Sequence, residues 1–347
     1  MMILRRIARA TLFAAALLLA ASPARAREVV DMSGRTITLP ADIHRVYGAF
    51  SSAVAIMAAI APDLLAGSYF DTTPDLARFL PPGFAALPRL SVSGIQTTNP
   101  EQLMAAGIDL GVVLDGTGLS EQVRATMARL GRPAVAVAAE RLEQYPATFR
   151  FLGAVLQRPE RGEALARYLE ETGARVAAAL RDLPDGQRPR VYYAESPDGL
   201  QSQCDGSARA EVIGLAGGRN VLHCAAANSF AATATMTAET VLLLDPDVIL
   251  VRFPRTATMF LTEPRWQTLA AVRSRRVLVV PSLPFNWMDR PPSYMRIMGV
   301  QWLAGRLHPD RYRIDLPAET RAFFRLFFGV ALTDADLHLL FAGTAAP

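Results

Sequence analysis

Residues 97–115 read TTNPEQLMAAGIDLGVVLD, and residues 235–253 read TMTAETVLLLDPDVILVRF. The two stretches align without a gap: Glu101 against Glu239, Leu103 against Val241, Asp109 against Asp247, Val113 against Val251. Each runs from a polar cap through a glutamate in a first helical turn to a short apolar helix. A tight turn with an aspartate and a buried strand follow. A unit of this kind in each half of the chain predicts two similar lobes.

The flanks repeat as well. Arg45 to Gly48 (RVYG) resembles Arg190 to Ala194 (RVYYA), and the helix and strand at Met127 to Val137 are matched by Trp266 to Val272 and Val277 to Val280. Glu28 to Leu39 alternates around a Ser-Gly turn and reads as a hairpin. Ser51 to Ile60 reads as a helix capped by Ser51 or Ser52, Leu64 to Tyr69 as a short strand, and residues 71–90 as an irregular loop. Strands alternating with helices imply mainly parallel sheets under helical cover. Residues 145–183 hold two helical segments with no strand between them and read as a helical connector, a rigid strut that permits modest hinge motion. The expected organisation is an α/β chain of two lobes, 27–144 and 184–310, joined by a long helical connector at 145–183. Terminal helices occupy 311–347, and the ligand cleft lies between the lobes.

Residues 1–26 read as an export signal. Arg5, Arg6 and Arg9 precede an apolar run too short to span a bilayer, and Ala24-Arg25-Ala26 forms a small-x-small cleavage site. No cysteine follows that site, so a lipid anchor is not indicated, and the expected location is the periplasm. The formal charge of +4 belongs to this leader: removing its four arginines from the 36 basic residues leaves 32 against 32 acidic ones. A neutral chain is a poor polyanion binder, which argues against nucleic acid. Cys204 and Cys224 are the only cysteines; in an oxidising compartment they form a candidate disulfide, with two separate thiols as the alternative.

Ligands of open parallel sheets bind beyond the carboxyl ends of the strands. Candidates are therefore Phe50, Ser51, Tyr69, Gly94, Asp115 and Gly116 in the first lobe. In the second they are Glu195, Ser196, Ser229, Arg252, Phe285, Trp287 and Arg290. The densest group is PFNWMDRPPS, residues 284–293. An exposed Trp287 beside Arg290 on a proline-stiffened loop suits a flat or anionic ligand; the alternative is that Trp287 packs beneath the loop and Arg290 pairs with Asp289. The four histidines, His44, His223, His308 and His338, are too scattered for a bare-metal cage, and only His223 is placed near the cleft. No metal site or cofactor is expected. A preformed chelate needs fewer protein ligands. No P-loop, nucleophile elbow or H-E-x-x-H motif is present. Glu101 and Glu239 occupy equivalent places at helix starts, where a carboxylate is stabilised by the helix dipole without any further role; a matched pair could also dock on two arginines of a symmetric partner.

The order and spacing of DMSGRTITLP, NPEQLMAAGIDLGVV, the connector, EVIGLAGGRNV, MTAETVLLLDPDVILV and WQTLAAVRSRRVLVV resemble class III periplasmic substrate-binding proteins of ABC importers. These serve iron–siderophore, haem and cobalamin uptake. The loop FNWMDRPPS resembles that of iron- or nickel-chelate binders. The resemblance implies a non-enzymatic, monomeric protein that captures a metal chelate, a ferric siderophore first and a nickel chelate, haem or cobalamin as alternatives. It implies delivery to an inner-membrane permease and its ATPase, with Glu101 and Glu239 facing the permease. An exported enzyme acting on a small anionic substrate, and a binder of free metal ion, are the readings from other classes.

Overall fold

The computed structural model describes residues 27–90, 99–224 and 233–342. Gly94 and Ser229, and the leader at 1–26, lie outside the described residues. The first lobe is built on β3 (Val46–Gly48), β4 (Leu110–Leu114) and β5 (Ala134–Val137), all parallel and in that order. The second is built on β6 (Arg190–Ala194), β8 (Arg219–Asn220), β10 (Val248–Val251) and β11 (Val277–Val279), parallel in the order β11-β10-β6-β8. In the first lobe a parallel bridge from Val46 to Leu65 stands where β8 stands in the second. Both strands of the repeated stretch are buried, and VILV of β10 is buried at every position, as expected of strands covered on both faces.

The repeat extends to side-chain contacts. Asp109 Oδ2 accepts from the backbone N–H groups of His44 and Arg45 at 2.8 Å each, and Asp247 Oδ2 accepts from that of Arg190 at 2.7 Å. Each of those arginines turns back onto the last carbonyls of the repeated helix. Arg45 donates from Nε to Ala106 O, while Arg190 donates from Nη2 to Leu244 O at 2.6 Å and from Nη1 to Asp245 O at 3.0 Å. The carbonyls that a helix C-terminus leaves unpaired are thus met by the same residue in both lobes. The chain leaves each helix through a left-handed residue, Gly107 (φ 63°) in one copy and Asp245 (φ 35°) in the other. Asp245 offsets the steric strain of that conformation with its side chain, which accepts from the N–H of Ala270 at 2.7 Å.

Local expectations hold in outline and differ in detail. The opening hairpin forms, β1 (Arg27–Val30) against β2 (Thr36–Leu39). Leu64 to Tyr69 is not a strand but two isolated bridges, Val46 to Leu65 and Ser68 to Arg89, and short helical turns at Pro74–Ala77 and Phe84–Ala86 punctuate the loop that follows. A helix at Pro254–Thr262 and an antiparallel pair, β7 (Gln201–Gln203) with β9 (Thr233–Thr235), were not anticipated. Both are short or interrupted by polar residues, so their periodicity is weak. His308 is buried with Nε2 3.1 Å from Gly217 O. Cys204 and Cys224 form a disulfide with Cα atoms 5.6 Å apart, a closure that contributes about 3 kcal/mol by chain entropy.

The connector is not one continuous strut. Tyr145–Val155 and Pro159–Ala179 are separate helices, reversed at Gln157 (φ 58°) and folded back on each other. Gly153 and Gly162 allow the close crossing: a Cβ on Gly162 would stand 2.4 Å from Phe149 O. Arg150 holds Glu163 and Glu170 on the exposed side of the same pair. The last two helices, Leu316–Phe328 and Asp334–Phe341, extend the core. Phe323 and Phe327 stack at 4.2 Å, Tyr294 stacks on Phe327 at 4.9 Å, and the Tyr294 hydroxyl donates to Ala55 O of the first lobe at 3.0 Å. Among the described residues, no helix is long and apolar enough to cross a membrane.

The lobes are tied by Arg296, which is fully buried. Its guanidinium donates to Ser293 O (3.1 Å), Ala208 O (2.9 Å) and Glu140 O (2.8 Å), and pairs with Glu211 at 2.5 Å. Glu211 in turn accepts from Leu142 N at 2.8 Å. Segments around 140, 208 and 293 thus meet on one side chain.

Candidate functional site: the cleft between the lobes

The first wall of the cleft comes from helix α1 (Ser51–Ile60), which follows β3. Its cap residue is Phe50 and not a serine, and no side chain caps it. Phe50, Ser51 and Ser52 face a cavity of about 360 Å³, so the positive end of a ten-residue helix points into it. Phe70 and Leu114 complete this apolar wall; Phe70 is backed by Phe285, ring centroids 4.8 Å apart. The opposite wall is Arg209 with the segment Asp289, Arg290, Pro291 and Pro292.

The charges of that wall are arranged in layers. Arg209 and Arg290 face the cavity. Behind them Glu195, only 2% exposed, pairs with Arg290 and lies 3.7 Å from Arg209. Asp289 is fully buried, accepts from the Tyr193 hydroxyl at 2.8 Å and lies 3.6 Å from Arg290 Nε. Burial pushes the Asp289 carboxyl up, against the opposing pull of the Tyr193 hydroxyl and of Arg209, Arg252 and Arg296. Burial beside Asp289 also pushes the Tyr193 hydroxyl far above the usual tyrosine range. Arg252 is half-buried and stacks on the ring of Phe253 at 4.9 Å. Among the described residues of this wall, three guanidiniums therefore stand against two carboxylates.

The expected site residues separate into two groups. Phe50, Ser51 and Arg290 meet at the cavity. Tyr69 does not line it: its hydroxyl donates to Ala49 O at 2.7 Å and is shared with Tyr47 at 2.7 Å. Glu195 and Arg252 stand behind the wall. The exposed indole expected at Trp287 is absent: Trp287 is fully buried, donates to Leu283 O at 3.3 Å and meets Phe341 edge-on at 6.0 Å. Its backbone carbonyl presses on the helix Arg296–Leu307, where a Cβ on Gly299 would stand 2.1 Å away. The loop borders the cavity, with its indole packed inward and Asp289 and Arg290 on the wall. Asp115 and Gly116 are exposed at a turn, and Ser196 is bonded to Asp198. Arg209, Asp289, Phe70 and Leu114 were missed as cavity residues. Asp289 had a signal, its place in the PFNWMDRPPS loop. Arg209 had none, because it precedes a helix instead of following a strand.

No group of three or more His, Cys, Asp or Glu that could hold a metal is found among the described residues. His223 is exposed and paired with Asp205 at 2.5 Å. A larger, open depression lined by Arg188, Arg273 and Arg276 lies at the amino ends of the second sheet, the pole away from the cleft. Glu101 and Glu239 are both exposed in first helical turns, on Pro100–Ala105 and Ala238–Leu244. The helices are capped by Asn99, which accepts from Glu101 N at 2.9 Å, and by Thr237, which accepts from Thr240 N at 3.2 Å. The first of the influences that hold the Glu239 carboxyl below its usual range is its own backbone N–H, followed by the Thr237 hydroxyl.

Comparison with known proteins agrees with this architecture. An ABC transporter solute binding protein from Sulfurospirillum deleyianum is 35% identical, with 91% of this chain and 99% of that one covered and a TM-score of 0.83. The molybdate-binding protein MolA of Haemophilus influenzae is 27% identical over 177 residues, a match that takes in 50% of this chain and 48% of that protein. The molybdate-bound structure of MolA superposes with a TM-score of 0.70 at 20% identity, which shows the shared fold. These relatives are solute-binding proteins and not enzymes. The family model described as periplasmic binding protein matches residues 54–283, and the chain belongs to that family in its class III, two-lobed form.

Proposed function

We propose that this protein captures a compact anionic metal species in the cleft between its lobes and delivers it to an ABC permease, making and breaking no bond. The observation that carries this reading is the pair Arg209 and Arg290 set opposite the uncapped start of α1. Guanidiniums and helix N-termini both favour oxygen anions. The volume of about 360 Å³ stands at the small end of ligand sites. It suits a small chelate better than an enclosed porphyrin or corrinoid. Phe50, Phe70 and Leu114 favour a chelate with carbon surface to bury, so a ferric siderophore with carboxylate donors is the first cargo and a nickel chelate the second. A bare oxyanion is the alternative, supported by the likeness to MolA and by the α1 terminus.

Calorimetry with ferric citrate, nickel–histidine and molybdate tests the reading; binding of at least one anionic species in the micromolar range or below is expected, and indifference to all anions would overturn it. Handover to the permease rests on Glu101 and Glu239. Replacing both with alanine is expected to abolish uptake of the cargo in whole cells while calorimetric affinity stays within about twofold, because neither side chain lines the cavity. Uptake at the unsubstituted rate would remove the docking role.

A further inference from the structure

Glu195 does not line the cavity. It closes the second layer, and its carboxylate is held from both sides. One oxygen meets Arg290 and stands 3.7 Å from Arg209 Nη1. The other accepts from Gln203 Nε2. Gln203 is itself pinned, donating to Thr233 Oγ1 at 2.7 Å and accepting from Ser207 Oγ at 3.0 Å. A carboxylate anchored in this way is not free to swing into the cavity, and it is too buried to be a docking group.

We propose that Glu195 is an internal counter-anion, a positioning residue that sets how much negative charge the ligand must carry. It rests on the reading of the cleft as an anion site and deepens it. By bonding the back of Arg290 and lying against Arg209, Glu195 aims both guanidiniums at the cavity. It also cancels one of their charges before any ligand arrives. A ligand therefore meets a smaller surplus than the arginines alone would present, and highly charged anions gain less over weakly charged ones. Removing the Glu195 charge while keeping its shape should restore that gain.

Perrhenate and molybdate provide the test, being tetrahedral oxyanions of similar shape with one and two negative charges. Calorimetry or ligand-induced thermal shift at up to millimolar concentration reads both affinities in the unsubstituted protein and in Glu195→Gln. The molybdate-to-perrhenate affinity ratio is expected to rise about 10-fold in the variant, the effect of one unit charge at a few ångströms in a partly screened site. A purely structural role would change both affinities by the same factor, and an unchanged ratio overturns the inference. Where Glu195→Gln is not recovered folded, Glu195→Met removes the charge at similar side-chain length and should move the ratio in the same direction; an unchanged ratio there is equally fatal. Unsubstituted protein that takes ferric citrate but neither oxyanion also overturns the inference and leaves the cleft reading standing. Protein that takes none of the three overturns both.

Discussion

Arg290→Ala is expected to weaken binding of the anionic cargo about 100-fold, read by calorimetry. Truncating a partner of a desolvated, hydrogen-bonded charge pair costs about 2–5 kcal/mol, and each ~1.4 kcal/mol is a factor of ten. Arg290 stands at the cavity on a loop stiffened by Pro291 and Pro292, so little ordering is left to be done when the ligand arrives. Arg209→Ala should act in the same direction from the same wall. Arg290→Lys should recover only part of the loss, because an ammonium keeps the charge and gives up the planar fork that fits paired oxygens. Arg290→Ala also takes from Glu195 its nearest cation and leaves it with Arg209 and Gln203, so the substituted protein should unfold at lower denaturant concentration in its ligand-free form. An affinity within about twofold of the unsubstituted protein would take the arginine wall out of the site.

Arg296→Ala is expected to destabilise the fold by about 3–5 kcal/mol, read from urea unfolding. The range is that for removing one partner of a buried ion pair. Arg296 is fully buried, and its removal leaves Glu211 without its closest cation and takes the guanidinium donor from the carbonyls of Ala208 and Glu140, while Ser293 O keeps the backbone N–H of residue 296. Replacing both members of the pair with apolar residues of similar size should cost less than the single change, because no charge is then stranded. The pH dependence has a definite sign. Burial already raises the Glu211 carboxyl above its ordinary value, and Arg296 is the first of the influences that pull it back. Loss of Arg296 raises it further in the folded state. The stability that comes from holding that proton is full below the unfolded value and is lost as the pH rises. The destabilisation of Arg296→Ala should therefore be largest at neutral pH and shrink towards pH 4. A loss independent of pH would separate Glu211 from the effect.

Much of the fold is legible because its signals are local. The glutamate in a first turn, the apolar helix after it and the buried strand all lie within nineteen residues in each copy (97–115 and 235–253) and need no distant partner to be recognised. Asp109 and Asp247 were visible as a matched pair, and both bond the backbone at the start of a neighbouring strand. The connector was legible as helical, but its reversal was not. Gln157 adopts a left-handed conformation that glycine would have advertised, and the glycines that permit the close crossing sit inside the helices on either side.

The site was half legible. PFNWMDRPPS was marked by composition, yet composition does not say which side of a loop faces a ligand. Trp287 lies inward because one helix offers Gly299, where its backbone fits against a missing side chain, and the last helix offers Phe341, which its ring meets edge-on. Neither contact is near it in the chain.

What the sequence by itself determined is the class of machine: two α/β lobes, a cleft at the carboxyl ends of their strands, and matched glutamates on exposed helix starts. Repetition and periodicity are short-range properties, and they survive in a string of letters. Only the tertiary structure decided the chemistry of the cleft. Glu195, Arg209 and Arg290 come from a strand end, a turn before a helix and a proline-rich loop, and they act as a unit only after folding has removed water from between them. The electrostatic strength of that unit depends on burial, which belongs to the packed molecule and to no single stretch of it.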